Sequence, residues 1–288
     1  MAVLNEIIKS FNKQARTYEQ AAKVQSEIGT RLLERLHYIK LNPRYILDLG
    51  CGSGFFSQEL AKLYPKARII GVDLAQHMLH EARKKQTWRR KWSLCLADMH
   101  HLPFQQGMFD LVFANQVIHW SASLELVIRE LNRVMSAKGC LMFTTLGPDT
   151  FKELTASWAD ADDYMHTNFF PDMHDVGDCL QKEYLIDPVV DMERLTLHYE
   201  SLPHLIKSLK NQGVKNINPQ RNPGLTGKSA WRSFAEHYDE LKTKEGKYPL
   251  TYEVVYGHAW KGTRQKIAQG VEAYIPVNSI KINKRSED

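Results

Sequence analysis

Three glycines and three acids carry most of the chemistry legible in this sequence. In Leu47-Asp48-Leu49-Gly50-Cys51-Gly52-Ser53-Gly54 an apolar run takes in one acid and then breaks into glycines at alternate positions. Glycine reaches backbone angles that other residues avoid and lets the chain approach a ligand closely, and a helix starting beyond it offers unpaired N–H groups. Asp73 ends the next apolar run, 19 positions after Gly54. A carboxylate there can accept both hydroxyls of a ribose, the arrangement of nucleotide sites at the ends of parallel strands. Asp98 closes a third run. The glycine spacing is G-x-G-x-G, whereas dinucleotide sites require G-x-G-x-x-G.

The elements that must position these residues follow from the hydrophobic pattern. Between residues 44 and 146 short apolar runs alternate with amphipathic stretches, the signature of strand-helix-strand units and a parallel sheet. Strands are expected at 45–49, 67–73, 93–98, 109–114 and 140–145. Helices separate them, one carrying Phe56, Leu60 and Leu63, another Met78, Leu79 and Ala82, and a third running from Leu124 to Val134. Residues 18–38 read as one helix, with Val24, Ile28, Leu32 and Leu36 on a single stripe. Two late alternating segments, 189–199 and 252–261, suit a closing pair in which the final strand runs antiparallel. Between them lie helices at 203–210 and 229–241 and a Gly/Asn/Pro-rich loop at 213–227.

The tight glycine turn with Asp48 resembles the first motif of class I S-adenosylmethionine-dependent methyltransferases. Phe11, Ala15, Tyr18, Ala21 and Gln25, with Phe143-Thr144-Thr145-Leu146-Gly147-Pro148-Asp149-Thr150 and Gly246-Lys247-Tyr248-Pro249-Leu250-Thr251-Tyr252, narrow the likeness. Together these segments resemble the malonyl-acyl carrier protein O-methyltransferases of the biotin pathway, over roughly residues 8 to 261. The resemblance implies an α/β, Rossmann-like fold with a mostly parallel seven-stranded sheet, its last strand antiparallel, and a helical lid. It implies a lid at 1–42, a cofactor core at 43–146, acceptor-lid insertions and last strands at 147–261, and a tail at 262–288. S-adenosylmethionine is the implied cofactor, held by Tyr18, Gln25, Asp48, Gly50, Gly52, Gly54, Asp73, Leu74, Met78, Asp98, Met99 and Asn115. The implied partner is malonyl-acyl carrier protein, whose acidic surface carries the substrate on a phosphopantetheine arm.

That reaction joins a methyl group to a carboxylate already ionised near neutral pH, so it needs no general base. The chain offers no compelling base or nucleophile, and catalysis can rest on alignment and exclusion of water. Tyr18, His119, Trp120, Thr145 and Arg221 are the candidates for positioning the acceptor, with the Arg221 guanidinium suited to a carboxylate or phosphate. His119 could alternatively pack or act as a base, and Arg221 could be a solvated loop residue. Other acceptors fit less well: Ala114-Asn115-Gln116-Val117 lacks the Pro-Pro-aromatic pattern of adenine-amine methylation, and no cysteine has the neighbours cytosine methylation requires. A respiratory-complex assembly hydroxylase of similar fold is a further alternative.

Composition bounds these readings. The chain has 288 residues with 43% apolar and 25% charged residues, and a formal net charge of +5. That suits a globular domain with a sizeable core and excludes a fibrous or disordered chain. The charge is too small to mark a nucleic-acid binder, no run is long enough to span a bilayer, and a monomer is expected. Cys51, Cys95, Cys140 and Cys179 stand singly, without the spacing of a zinc site, so no metal is expected and a cytoplasmic location fits. Two basic patches could dock an acidic carrier: Arg83–Lys91, with six basic residues in nine, and Lys207, Lys210, Lys215, Arg221 and Lys228. The second is favoured, because the first should lie away from the strands' C-terminal ends.

Overall fold

A computed structural model describes residues 2–87 and 92–262. Helices α1 (Ala2–Gln14), α2 (Tyr18–Ala21) and α3 (Lys23–Arg35) precede β1 (Tyr45–Leu49). The alternating block follows as α4 (Phe55–Leu63), β2 (Arg68–Asp73), α5 (Gln76–Lys84), β3 (Ser93–Leu96), β4 (Phe109–Ala114), α6 (Leu124–Val134) and β5 (Met135–Leu146). The remainder is α7 (Lys152–Ala159), α8 (Met173–Lys182), β6 (Leu185–Tyr199), α9 (Leu202–Asn211), α10 (Lys228–Glu240) and β7 (Tyr248–Lys261).

The seven strands form one sheet in the order β3-β2-β1-β4-β5-β7-β6, and β7 runs antiparallel to both of its neighbours. The strand order reverses at β1, with β2 on one side and β4 on the other, which opens a crevice at the carboxyl ends of these strands. Strands in such a sheet are covered on both faces and read as continuous apolar runs. In β4, Leu111 and Phe113 enter one core cluster while Val112 and Ala114 enter the other. One face is covered by α3, α4, α7, α9 and α10, the other mainly by α6 and α8.

The expected continuous helix at 18–38 is broken. Ala22 leaves helical geometry at φ −84°, ψ 39°, separating α2 from α3. The apolar stripe of α3 explains the break. Val24, Ile28, Leu32 and Leu36 are all buried against Ile46, Leu60 and Phe113, whereas Tyr18 of α2 faces a cavity at the strand ends. A straight rod cannot satisfy both. The expected lid at 1–42 is therefore divided: α1 and α2 cover the crevice, and α3 belongs to the core. The fifth strand also begins earlier than expected, at Met135, with a register shift and Lys138 at φ 64°. Residues 88–91 of the basic run, and residues 263–288 of the expected tail, lie outside the described residues. No helix among the described residues is long and apolar enough to cross a membrane.

Gly29 sets how closely α3 approaches the sheet. A Cβ there would stand 2.1 Å from the Phe56 ring and 2.5 Å from the Asn115 side-chain nitrogen. Gly29→Ala is expected to lower stability by about 1–3 kcal/mol through overpacking. Urea denaturation measures this, and a variant as stable as the parent would mean that α3 is free to shift.

Candidate functional site

The glycine turn takes the shape its residue types permit. Gly50, Gly52 and Gly54 all have positive φ, at 66°, 52° and 80°. The turn is held from the neighbouring strand: Cys51 N donates to Val72 O at 2.9 Å, and Gly52 N donates to Asp73 Oδ2 at 2.9 Å. Asp73 Oδ1 accepts from Ala75 N at 2.7 Å, so one carboxylate ties the turn after β1 to the turn after β2. Burial raises the pKa of Asp73, and its backbone hydrogen bonds work against that rise. Asp48 is 2% exposed and accepts from Ser57 Oγ at 2.5 Å. Burial pushes its carboxyl up to about 7, with the Ser57 bond opposing the shift and the charge of Asp73 adding to it.

Three adjoining cavities open at these strand ends. Asp73, Leu74 and Met78 line the first from one side, Asp98 and Met99 from another, and Gly50, Gly52 and Asn115 form its floor with Tyr18 above. Asp98 is braced by His100, whose backbone N donates to Oδ1 at 2.9 Å and whose Nδ1 lies 2.6 Å from the same oxygen. Burial alone would raise the Asp98 carboxyl, but these bonds hold it below the usual range. The second cavity is lined by Gln25, Gln116, His119, Trp120, Gln212 and Tyr252 among others, with no lysine or arginine. The third lies along the glycine turn beside Asp48, Ser53 and Gln25. Tyr18 lines all three, and Phe11, Gln116 and Trp120 are shared by the first two. Burial raises the Tyr18 phenol far above its ordinary value, so it is a neutral donor.

The structure gathers most of the residues expected from the sequence, but not all in the expected way. Gly54 lines none of these three cavities. A Cβ there would meet Ala82 at 2.9 Å, so Gly54 serves the close approach of α4 and α5. Gln25 is not on the Tyr18 helix. It lines the second and third cavities, where its Nε2 donates to Gln212 Oε1 at 3.0 Å. Thr145 and the adjacent Thr144 are both buried and line none of the cavities, but the Thr144 hydroxyl holds two residues that do. That hydroxyl donates to Asn115 Oδ1 at 2.8 Å and accepts from Gln116 N at 2.9 Å. Neighbouring strand residues face opposite ways, so a shift of one position changes which hydroxyl is used. Arg221 does not reach the cavities. Its guanidinium donates to Glu6 Oε1 at 2.9 Å and to Asn216 O at 2.8 Å, bracing α1 against the late loop. His119 lines the second cavity with its Nδ1 sealed from solvent and without a hydrogen-bond partner, and burial pushes its pKa down to about 3.

Sequence reasoning missed several contributors. Gln116 sits at φ 53°, a strained backbone of the kind functional sites hold, and nothing in its residue type announced that. His100 gave no signal. Lys85 was placed on the far side, yet it forms an ion pair with Glu19 of α2, while Ser53 of the glycine turn donates to Glu19 Oε1 at 2.5 Å. Lys85 thus braces Glu19 and Ser53, two residues that line the third cavity.

Residues 47–143 match the family model described as a methyltransferase domain. The chain is 65% identical over 280 residues to the malonyl-[acyl-carrier protein] O-methyltransferase of Legionella pneumophila, covering 97% of this chain and 99% of that protein. It is 39% identical to malonyl-[acyl-carrier protein] O-methyltransferase 1 of Coxiella burnetii, covering 96% and 95%. Among solved structures, the YcgJ protein of Bacillus subtilis superposes with a TM-score of 0.59 at 14% identity, over 81% of this chain and 98% of that one. The [4+2]-cyclase SpnF superposes with a TM-score of 0.52 at 17% identity, over 83% and 81%. At such identities these two structures speak for the fold alone.

Asp73→Ala is expected to weaken S-adenosylmethionine binding at least tenfold, since charged hydrogen bonds are worth roughly 1.5–3 kcal/mol each. Calorimetry on the folded variant checks this, and unchanged affinity would remove Asp73 from the site.

Proposed function

The chain belongs to the malonyl-[acyl-carrier protein] O-methyltransferase family, and from that premise we propose that its site esterifies the free carboxylate of a malonyl group borne by an acyl carrier protein, with S-adenosylmethionine as methyl donor. The observation that carries this reading is the meeting of three cavities at Tyr18: an apolar slot between carboxylates, an acid-lined turn, and a polar chamber free of cations.

The residues fit the cofactor. Leu74, Met78 and Met99 give an apolar slot for a flat base, with Asp73 placed for a ribose diol and Asp98 for an exocyclic amine. Asp48, buried with one hydroxyl partner, suits the positive charge of the methionine end. When bound there, S-adenosylmethionine supplies an electrophilic methyl group on a sulfonium.

The second cavity has the features the acceptor requires. A carboxylate held by a guanidinium would be stabilised before reaction and would lose nucleophilicity, whereas catalysis needs the interaction to favour the transition state. Neutral donors orient it with less of that penalty. His119, uncharged near neutrality and with an unpartnered buried nitrogen, is the group we assign to hold the carboxylate. Trp120, Phe170 and Phe151 wall the chamber and exclude water. Tyr18, at the junction, orients both reactants. The partner is read as an acidic carrier docking locally rather than through net charge. The four cysteines are all free, as a reducing cytoplasm would keep them.

Methyl label from S-adenosylmethionine is expected to appear on malonyl carrier protein and not on acetyl carrier protein, which has no free carboxylate. Single-turnover rates at saturating cofactor are expected to stay flat from about pH 6 to 8, because the acceptor is already ionised and His119 does not titrate there. Labelling of both carriers, or a steep rise through neutrality, would overturn this assignment.

Cofactor affinity is expected to behave differently. Burial pushes the Asp48 carboxyl up to about 7, and a neighbouring cation favours the carboxylate form, so the pKa falls on binding. The complex therefore holds fewer protons than the free protein near neutrality, and affinity falls as the pH is lowered from about 8 to 6. Titrations across that window check it: the slope should vanish in Asp48→Asn, and pH-independent affinity in the parent would place the cofactor's charge elsewhere.

A further inference from the structure

A fourth cavity lies outside the site described so far. It is a groove between the α2–α3 junction and α9, with the end of β6 as its third wall. Lys23 and Lys207 line it, together with His198 and His204, and no carboxylate does. Among the described residues neither Lys23 nor Lys207 forms an ion pair with an acid.

The groove abuts the acceptor chamber. Gln212 lines both, and the partition between them is thin: Gln212 Oε1 accepts from Gln25 Nε2 at 3.0 Å and from Tyr252 Oη at 3.2 Å. Lys23 stands two residues before Gln25 and Lys207 five before Gln212. At the rise of an α-helix, His204 lies ~12 Å along α9 from Gln212 and Lys207 ~7.5 Å. A narrow chain passing from the chamber by way of Gln212 would follow α9 beside Tyr199 into the groove that Lys23 and Lys207 line.

We propose that this groove receives the phosphate-bearing arm on which the acceptor arrives, with Lys23 and Lys207 engaging the phosphate; the proposal rests on the functional reading above. The occupant is chosen by charge and by continuity. A single phosphodiester beyond a polar but uncharged linker matches two compact ammonium charges in a groove that also carries amide and hydroxyl groups from Gln212 and Ser208. Arg221 and Lys85, each tied to an acid of α1 or α2, are left to brace the lid rather than to dock the carrier.

The test compares malonyl-phosphopantetheine with malonyl-pantetheine as free thioester substrates. The parent enzyme is expected to favour the phosphorylated thioester in kcat/KM by about tenfold, the combined effect of two exposed charge contacts. Raising the salt concentration should erode that preference. The double variant Lys23→Ala, Lys207→Ala is expected to reduce it below about twofold and to leave kcat/KM on malonyl-pantetheine unchanged. Lys210→Ala, on the same helix but outside the groove lining, should keep the preference. A parent enzyme indifferent to the phosphate, or a double variant that retains the full preference, would overturn the proposal. Turnover of neither thioester would instead overturn the functional reading itself, and the proposal with it.

Discussion

Two carboxylates on adjacent strands, one buried and one half-buried, set the terms for the rest of this structure. Asp48 within β1 and Asp73 at the end of β2 stand where the strand order reverses, in a sheet whose interior offers little else to solvate a charge. Burying a carboxylate is costly unless hydrogen bonds replace water. Asp73 meets that requirement with two backbone N–H groups, and in doing so fixes the glycine turn. Asp48 has Ser57, and its raised pKa records the compensation that is missing. A cation bound beside it completes the balance, so the site is electrostatically poised for a positively charged ligand.

The parts of the fold that were legible in the sequence are those decided locally. Buried parallel strands must be apolar on both faces, so residues 45–49 and 109–114 could be read to their boundaries, and the glycine turn announced itself because few other residues tolerate its angles. The break at Ala22 could not be read. No glycine or proline marks it, and the stripe through Val24 and Ile28 continues the helical period without interruption. Tertiary demands on Tyr18 and on α3 decided it. Thr145 and Arg221 failed for related reasons: a hydroxyl's role depends on which strand face it occupies, and a guanidinium's on which acid the fold brings near. Glu6 lies 215 residues from Arg221, a pairing no local pattern contains.

Around the acceptor the chain withholds charge rather than supplying it. The second cavity brings together Gln25, Gln116, His119, Gln212 and Tyr252, and among the described residues lining it none carries a formal positive charge. An ionised acceptor would pair readily with a lysine or arginine, and that pairing would be strongest in the reactant, where its charge is most localised. As the oxygen shares its electrons with the incoming methyl group, the attraction weakens and the barrier rises. Amide, phenol and imidazole groups avoid this, at the cost of weaker binding of the reactive end.

Weak binding at the reacting carboxylate leaves affinity to be supplied elsewhere. Energy gained at remote, non-reacting parts of a substrate can hold the reactive end in place without stabilising it. The cation-free chamber and the lysine-lined groove then form one design: charge is excluded within reach of the chemistry and placed in the adjoining groove, on Lys23 of α3 and on Lys207 about one and a half helical turns from Gln212 along α9, where it acts on binding. The Gln25–Gln212 contact sits between the two regions. It links the start of α3, built into the core, to the end of α9, so the same pair of amides that separates the chamber from the groove also registers whether both walls are in place.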